Sequence, residues 1–507
     1  MKTLHFLLAL TLGFTAPLLA AEVSDSDSSE PIIEPDFSVS LSCVSLPRDF
    51  TLKNASSSFL TIPNSDRQPS DDFRTQLAQD AVSSNAKVAD SAIAALRAFG
   101  PAGLEIMLKT HADFIQSHTS AGIQKNDADW LRLKSALDGI TRQRDSYASK
   151  LYWFTDLDQA KAAARQNNKP ILSLRLLGNL DDELSCANSR FFRTTLYANA
   201  QVSAYLRDHF ILHWKSVRAV PKITIDFGDG RKLERTITGN SIHYVLDSDG
   251  QIIDALPGLY GAQAFLAGLQ EAERAAKQSS SSSPEVRDSV RREYHRACLA
   301  AIESDWSRDL SAVRFSPPVR LELPSSGVLP ALLSFNTPSA QEAARTATSK
   351  RRIEQPLLRS VFPAPPGKRA QLESATDDST WASIAALHSE QSRLDEPSRA
   401  LLITKAPSAL AAGRLTTSKV AIENPVLRQL RNLERTISED TVRNEYLFHT
   451  KIHEWLATSP ATQNLDAFNS KIYAELFLTP DSDPWLGLAQ PDVCTALENN
   501  GLVSNAR

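Results

Sequence analysis

Residues 169–192 (KPILSLRLLGNLDDELSCANSRFF) constrain the fold more than any other part of the chain. An apolar run, 171–177, ends in an acidic loop, and Cys186, Ala187, Asn188 and Ser189 then open a helix. The run is too short to be an amphipathic helix of ordinary length and reads as a strand. A strand that turns through a loop into a helix start is a building block of α/β structure.

The sequence around it repeats that alternation. Thr155 and Asp158 have capping-box spacing for a helix over 157–167, which Asn167, Asn168 and Pro170 terminate. More helix is predicted over 202–208 and a second strand over 210–215. Residues 222–227 and 233–238 flank Gly228, Asp229 and Gly230, and residues 242–246 and 252–255 flank the turn 247–250, so two hairpins follow. A helix over 262–275 closes the unit, and the serines at 279–283 read as a flexible linker.

At 507 residues the chain is long for one core and predicts two to four domains. Lys2, the apolar run 4–19 and the small Ala20 and Ala21 mark residues 1–21 as a secretory signal peptide. No cysteine sits at the cleavage point and no later stretch is apolar enough to span a bilayer, so the mature chain is expected to be soluble and extracytoplasmic, in a periplasm or secreted. Residues 22–72 form a polar segment, with one alternating strand predicted over 37–46. Residues 73–150 are expected to be helical. They include AIAALRAFGPAGLEIML, which has the spacing of a HEAT-type hairpin, and an amphipathic helix whose inner positions would be Leu131, Leu133, Leu137 and Ile140. Residues 284–370 comprise a charged helix and a proline-broken segment, and 371–507 are predicted to be a second helical domain with a packed tail.

The order aromatic, helix, Lys169-Pro170, strand, cysteine at a helix start, second strand, Gly239-x-x-x-x-x-x-Leu246-Asp247-x-x-Gly250 and closing helix resembles the thioredoxin family over about 152–277. The resemblance implies an α/β thioredoxin-like central domain flanked by mainly α-helical regions. In thioredoxin-like oxidoreductases a CxxC pair opens that helix. Cys186 matches the first cysteine, and Ser189 stands at the second. A serine cannot resolve a mixed disulfide, so the resemblance implies monothiol thiol-disulfide exchange through Cys186, with extracytoplasmic protein thiols or disulfides as partners and no cofactor. Where the family places a cis-proline, this chain has Gly239, Asn240 and Ser241. The alternative reading is a non-catalytic binding or scaffold protein of the cell envelope built on the same fold, with Cys186 structural.

The helix start favours a Cys186 thiolate by about 0.3–1 kcal/mol, and Asp181, Asp182 and Glu183 disfavour it comparably, which leaves an ordinary thiol. In an oxidising compartment Cys43, Cys186, Cys298 and Cys494 have three full pairings open to them, and no CxxC or zinc-type spacing chooses among these. A second constellation lies in SEDTVRNEYLFHTKIHEWL, where Glu445, His449 and His453 fall on one helical face with metal-chelating spacing, or form a plain polar face. His209 and His213 share that spacing across a helix-to-strand junction. A net charge of -4 without a basic stripe argues against a nucleic-acid binder, and GxSxG and P-loop motifs are absent.

Overall fold

The computed structural model describes residues 70–119, 127–236, 239–315, 367–405, 425–458 and 463–482. The strands are β1 (Ile171–Leu177), β2 (Ile211–Arg218), β3 (Lys222–Asp226), β4 (Lys232–Thr236), β5 (Ser241–Leu246) and β6 (Ile252–Pro257). Four of them form one sheet in the order β2-β1-β5-β6, and β3 pairs only with β4. β1 runs parallel to β2 and antiparallel to β5, and β5 runs antiparallel to β6. Every residue of β1, β5 and β6 is buried, which their apolar composition requires once both faces are covered.

Helices supply that cover. α1 (Asp71–Asp80), α2 (Ala86–Ala98), α3 (Pro101–Thr110), α4 (Ala112–Thr119), α5 (Ala128–Thr141) and the single turn α6 (Ser146–Ser149) precede the sheet. α7 (Leu157–Asn167), α8 (Ala187–Phe191) and α9 (Ala200–His209) lie between strands, and α10 (Ala262–Ser281) follows β6. α11 (Pro284–Phe315), α12 (Lys368–Ser374), α13 (Asp378–Leu387), α14 (Glu396–Thr404), α15 (Pro425–Arg443), α16 (Thr450–Thr458) and α17 (Leu465–Lys471) complete the described helices. Among them no helix is long and apolar enough to cross a membrane.

Both predicted hairpins are present, with Gly228, Gly230 and Gly250 at positive φ in their turns. α2 and α3 form the expected helical pair, with Gly100 at φ 66 and Pro101 opening α3. Elsewhere the structure departs from the sequence reading. Asp156, not Thr155, caps α7 by accepting the Gln159 N–H at 2.8 Å. α5 buries Leu133, Leu137 and Ile140 but leaves Leu131 50 % exposed, and it ends at Thr141 because Arg142 turns to φ 54.

The serine stretch is not a linker through Ser281. α10 continues to that residue because Ser279 is buried and Ser280 and Ser281 donate to the carbonyls four residues back. The C-terminal helices divide between two cores: Leu372, Trp381, Ile384 and Val442 cluster with Trp306 of α11, whereas others join the core of the sheet. Phe448, Ile452, Phe468, Ile472 and Phe477 belong to the same apolar cluster as Leu172, Leu174, Ile242 and Tyr244 of the sheet. Polar contacts fasten the two together: Tyr473 donates to the Asn240 carbonyl at 3.1 Å, and Arg175 on β1 pairs with Asp466 at 3.1 Å. The predicted signal peptide, the strand over 37–46, Cys43 and Cys494 lie outside the described residues.

Candidate functional site

β1 ends at Leu177, and Gly178 turns the chain at φ 72 into the acidic loop. The Cys186 N–H returns to the Leu177 carbonyl at 3.2 Å, so the helix start is pinned beside the strand end. Cys186 is the N-cap of α8, and its Sγ accepts the Ser189 N–H at 3.5 Å. The Ser189 hydroxyl does not point at the sulfur; it donates to the Cys186 carbonyl at 2.9 Å. From the facing loop, Ser241 Oγ lies 3.1 Å from Sγ. A Cβ on Gly239 would sit 2.8 Å from Asn188 Oδ1, so that loop presses directly on the helix start. No cis peptide occurs among the described residues. Cys186 is 0 % exposed, and both it and Cys298 carry free thiols.

The carboxylates upstream of Cys186 are occupied elsewhere. Glu183 pairs with Arg144 and lies 3.9 Å from Lys405, while Asp181 lies 3.6 Å from Arg142. Burial opposes ionisation of Glu183, but Lys405, Arg144 and Arg193 outweigh it and hold its carboxyl below the ordinary value. The buried Arg193 donates to the Asp182 carbonyl at 2.8 Å and so shapes the loop from inside. These pairings give Asp181 and Glu183 cationic partners that sequence spacing alone does not reveal.

The second constellation is larger than Glu445, His449 and His453. α15 passes into α16 through a π-helical stretch, Asn444–His449, whose wider turn shifts side chains off the regular α-helical face. His449 Nδ1 lies 3.0 Å from Glu445 Oε2, and His449 Nε2 lies 3.1 Å from Asp254 Oδ1. Burial would lower its pKa, but Glu445 and Asp254 together raise it to about 10, so the ring is an imidazolium with both N–H groups committed. His449 is therefore a clamp on Asp254, and its ring centroid lies 4.0 Å from that of His453, so Glu445, His449 and His453 adjoin in turn.

His453 also meets residues from other elements. Its Nδ1 lies 2.9 Å from His295 Nδ1 on α11 and 3.8 Å from Asp254 Oδ1 on β6. Tyr294 donates to the other carboxylate oxygen, Asp254 Oδ2, at 2.6 Å. Burial, added to the nearby His449 charge, lowers His453 well below the usual histidine value, and burial lowers His295 to about 4. Both rings are neutral at pH 7. Burial disfavours the charged Asp254 carboxylate, yet His449 overrides it and holds Asp254 below the carboxylate range. Burial likewise pushes the nearby Cys298 thiol up, so Cys298 is protonated.

Asp254 and His295 escaped the sequence reading. The signal for Asp254 was a carboxylate inside IIDALP, a strand otherwise without charge. His295 carried no signal beyond its residue type. His209 and His213 diverge: the first lies 2.9 Å from Glu273 and the second 2.8 Å from the Ser173 hydroxyl. No family model matches the chain, and neither a curated protein nor a solved structure is significantly similar to it.

Proposed function

We propose that the chain is a thioredoxin-like binding or scaffold protein of an extracytoplasmic compartment, in which Cys186 is a structural residue and exchanges no disulfides. The observation that carries this reading is the burial of Cys186 at 0 % exposure, with its sulfur committed to the Ser189 N–H and the Ser241 hydroxyl. Thiol-disulfide exchange needs in-line approach of a disulfide to a thiolate sulfur, and a fully covered sulfur offers none. The sheet order β2-β1-β5-β6, with a parallel β1–β2 pair and an antiparallel β5–β6 hairpin, supports the thioredoxin-like assignment of 151–277. The secretory pattern of residues 1–21 supports the compartment. The partner on this reading is another extracytoplasmic protein, held by the surface of the domain and its helices.

The test is exchange with a disulfide reporter, comparing wild type with Cys186→Ala. Equal, background-level rates and no trapped adduct at Cys186 are expected. A mixed disulfide at Cys186, with turnover lost in the variant, would establish monothiol exchange instead.

A further inference from the structure

We infer that Asp254, His295 and His453 form a binding site for a divalent transition-metal cation, with Zn²⁺ the best fit. One donor atom from each of the three lies within 4.8 Å of the others, and all three side chains are buried. Zinc–ligand bonds of about 2.0–2.1 Å in tetrahedral geometry separate ligand atoms by roughly 3.4 Å. Two of the three spacings among these donors, 2.9 Å between the imidazole nitrogens and 3.8 Å from His453 to Asp254, bracket that value, and the third lies within 4.8 Å.

Donor chemistry selects the metal class. Two imidazoles and one carboxylate suit zinc and its neighbours in the first transition row, whereas calcium and magnesium need oxygen-rich shells. The surroundings orient the carboxylate, and binding competes with the charged His449 ring beside it. His449 holds Asp254 Oδ1 at 3.1 Å and Tyr294 holds Oδ2 at 2.6 Å, so the carboxylate is oriented from both sides, as ligating carboxylates commonly are. The alternative is a bare hydrogen bond between two Nδ1 atoms, which forces one tautomer on each ring and leaves Asp254 to His449 and Tyr294.

The ligands come from three elements that are distant in sequence: β6, α11 and α16. A bound cation therefore links the sheet to two helices, and it acts as a structural clasp whose binding free energy stabilises the packed chain. This inference does not depend on whether Cys186 reacts.

The test uses the full chain after removal of metal with a chelator, titrated with Co²⁺ as a spectroscopic stand-in and then with Zn²⁺. Expected are one equivalent of Co²⁺ with visible ligand-field absorption, displacement of that ion by Zn²⁺, and a higher melting temperature with Zn²⁺. His295→Ala and His453→Ala should abolish the absorption, and His209→Ala, at a site apart from the cluster, should keep it. Tyr294→Phe removes an orienting hydrogen bond without removing a ligand, and it should weaken binding by about 10- to 100-fold. Wild-type protein that takes up no Co²⁺ and is not stabilised by Zn²⁺ overturns the inference irrespective of how the variants fold. An absorption that persists in both ligand variants also overturns it.

Discussion

His449 Nε2 lies 3.1 Å from Asp254 Oδ1, a contact between residues 195 positions apart that places one charge pair in the middle of the molecule. Strand β6 and the π-helical turn after α15 are joined through it. Both side chains are buried, so the pair must be judged by what remains when one member is removed.

His449→Leu leaves the Asp254 carboxylate with the Tyr294 and Ala255 hydrogen bonds but without its cationic partner. We expect a loss of about 3–5 kcal/mol in denaturant unfolding. By contrast, Arg165 and Asp249 form a pair at 2.9 Å with both side chains more than half exposed. Asp249→Ala should cost less than about 1 kcal/mol. Equal effects of the two substitutions would mean that the interior pair carries no special weight.

Part of the acid sensitivity should come from the neutral interior residues His213 and His243. Burial, with Arg175 and Lys215 nearby, lowers His213 to about 3, and burial alone lowers His243 to about 3. The unfolded chain takes up these protons near pH 6.5 and the native chain does not until about pH 3. Their stability contribution is thus fully present above pH 6.5 and is lost as pH falls from 6.5 towards 3. His243→Gln keeps an acceptor for the Tyr197 hydroxyl, which lies 2.6 Å from His243 Nε2, and removes one titration. Unfolding midpoints measured across that pH range should fall less steeply for the variant than for wild type; parallel slopes would contradict the assignment.

The α2–α3 pair depends on one close approach. A Cβ on Gly103 would sit 1.8 Å from the Leu96 carbonyl oxygen, which is backbone and cannot swing aside. Gly103→Ala should therefore destabilise by about 3 kcal/mol or more. Gly100 has positive φ and open space around it, so Gly100→Ala should cost only the backbone penalty of about 1–3 kcal/mol. Thermal unfolding of the two variants orders them directly, and a milder effect at Gly103 than at Gly100 would contradict the packing described.

What was legible in the sequence was local. The strands and both hairpins announce themselves through apolar runs and through Gly228, Gly230 and Gly250 at turns, because φ and ψ preferences act over a few residues. The helical state of Ser279–Ser281 was not legible, since serine is a weak helix former and these residues are held by burial and by hydroxyls bonded to the preceding turn. The histidine cluster shows the same limit from the other side. Helical spacing found Glu445, His449 and His453 on one segment, but Asp254 and His295 join them only through packing of β6 and α11. Likewise, Phe468 and Ile472 pack in the core of the sheet, a long-range contact with no local signal in the sequence.

Cys186 is legible by its position at a helix start, but its surroundings are not, because Arg142, Arg144 and Lys405 pair with the upstream carboxylates and Ser241 packs against the sulfur. Its reactivity in the native chain is the most direct measurement to make. The purified protein is treated with a thiol-reactive alkylating reagent before and after unfolding, and Cys186 labelling is followed by peptide mapping. Protection of Cys186 in the native protein, with full labelling only after unfolding, is the predicted result; labelling in the native protein at the rate of a free thiol would contradict it.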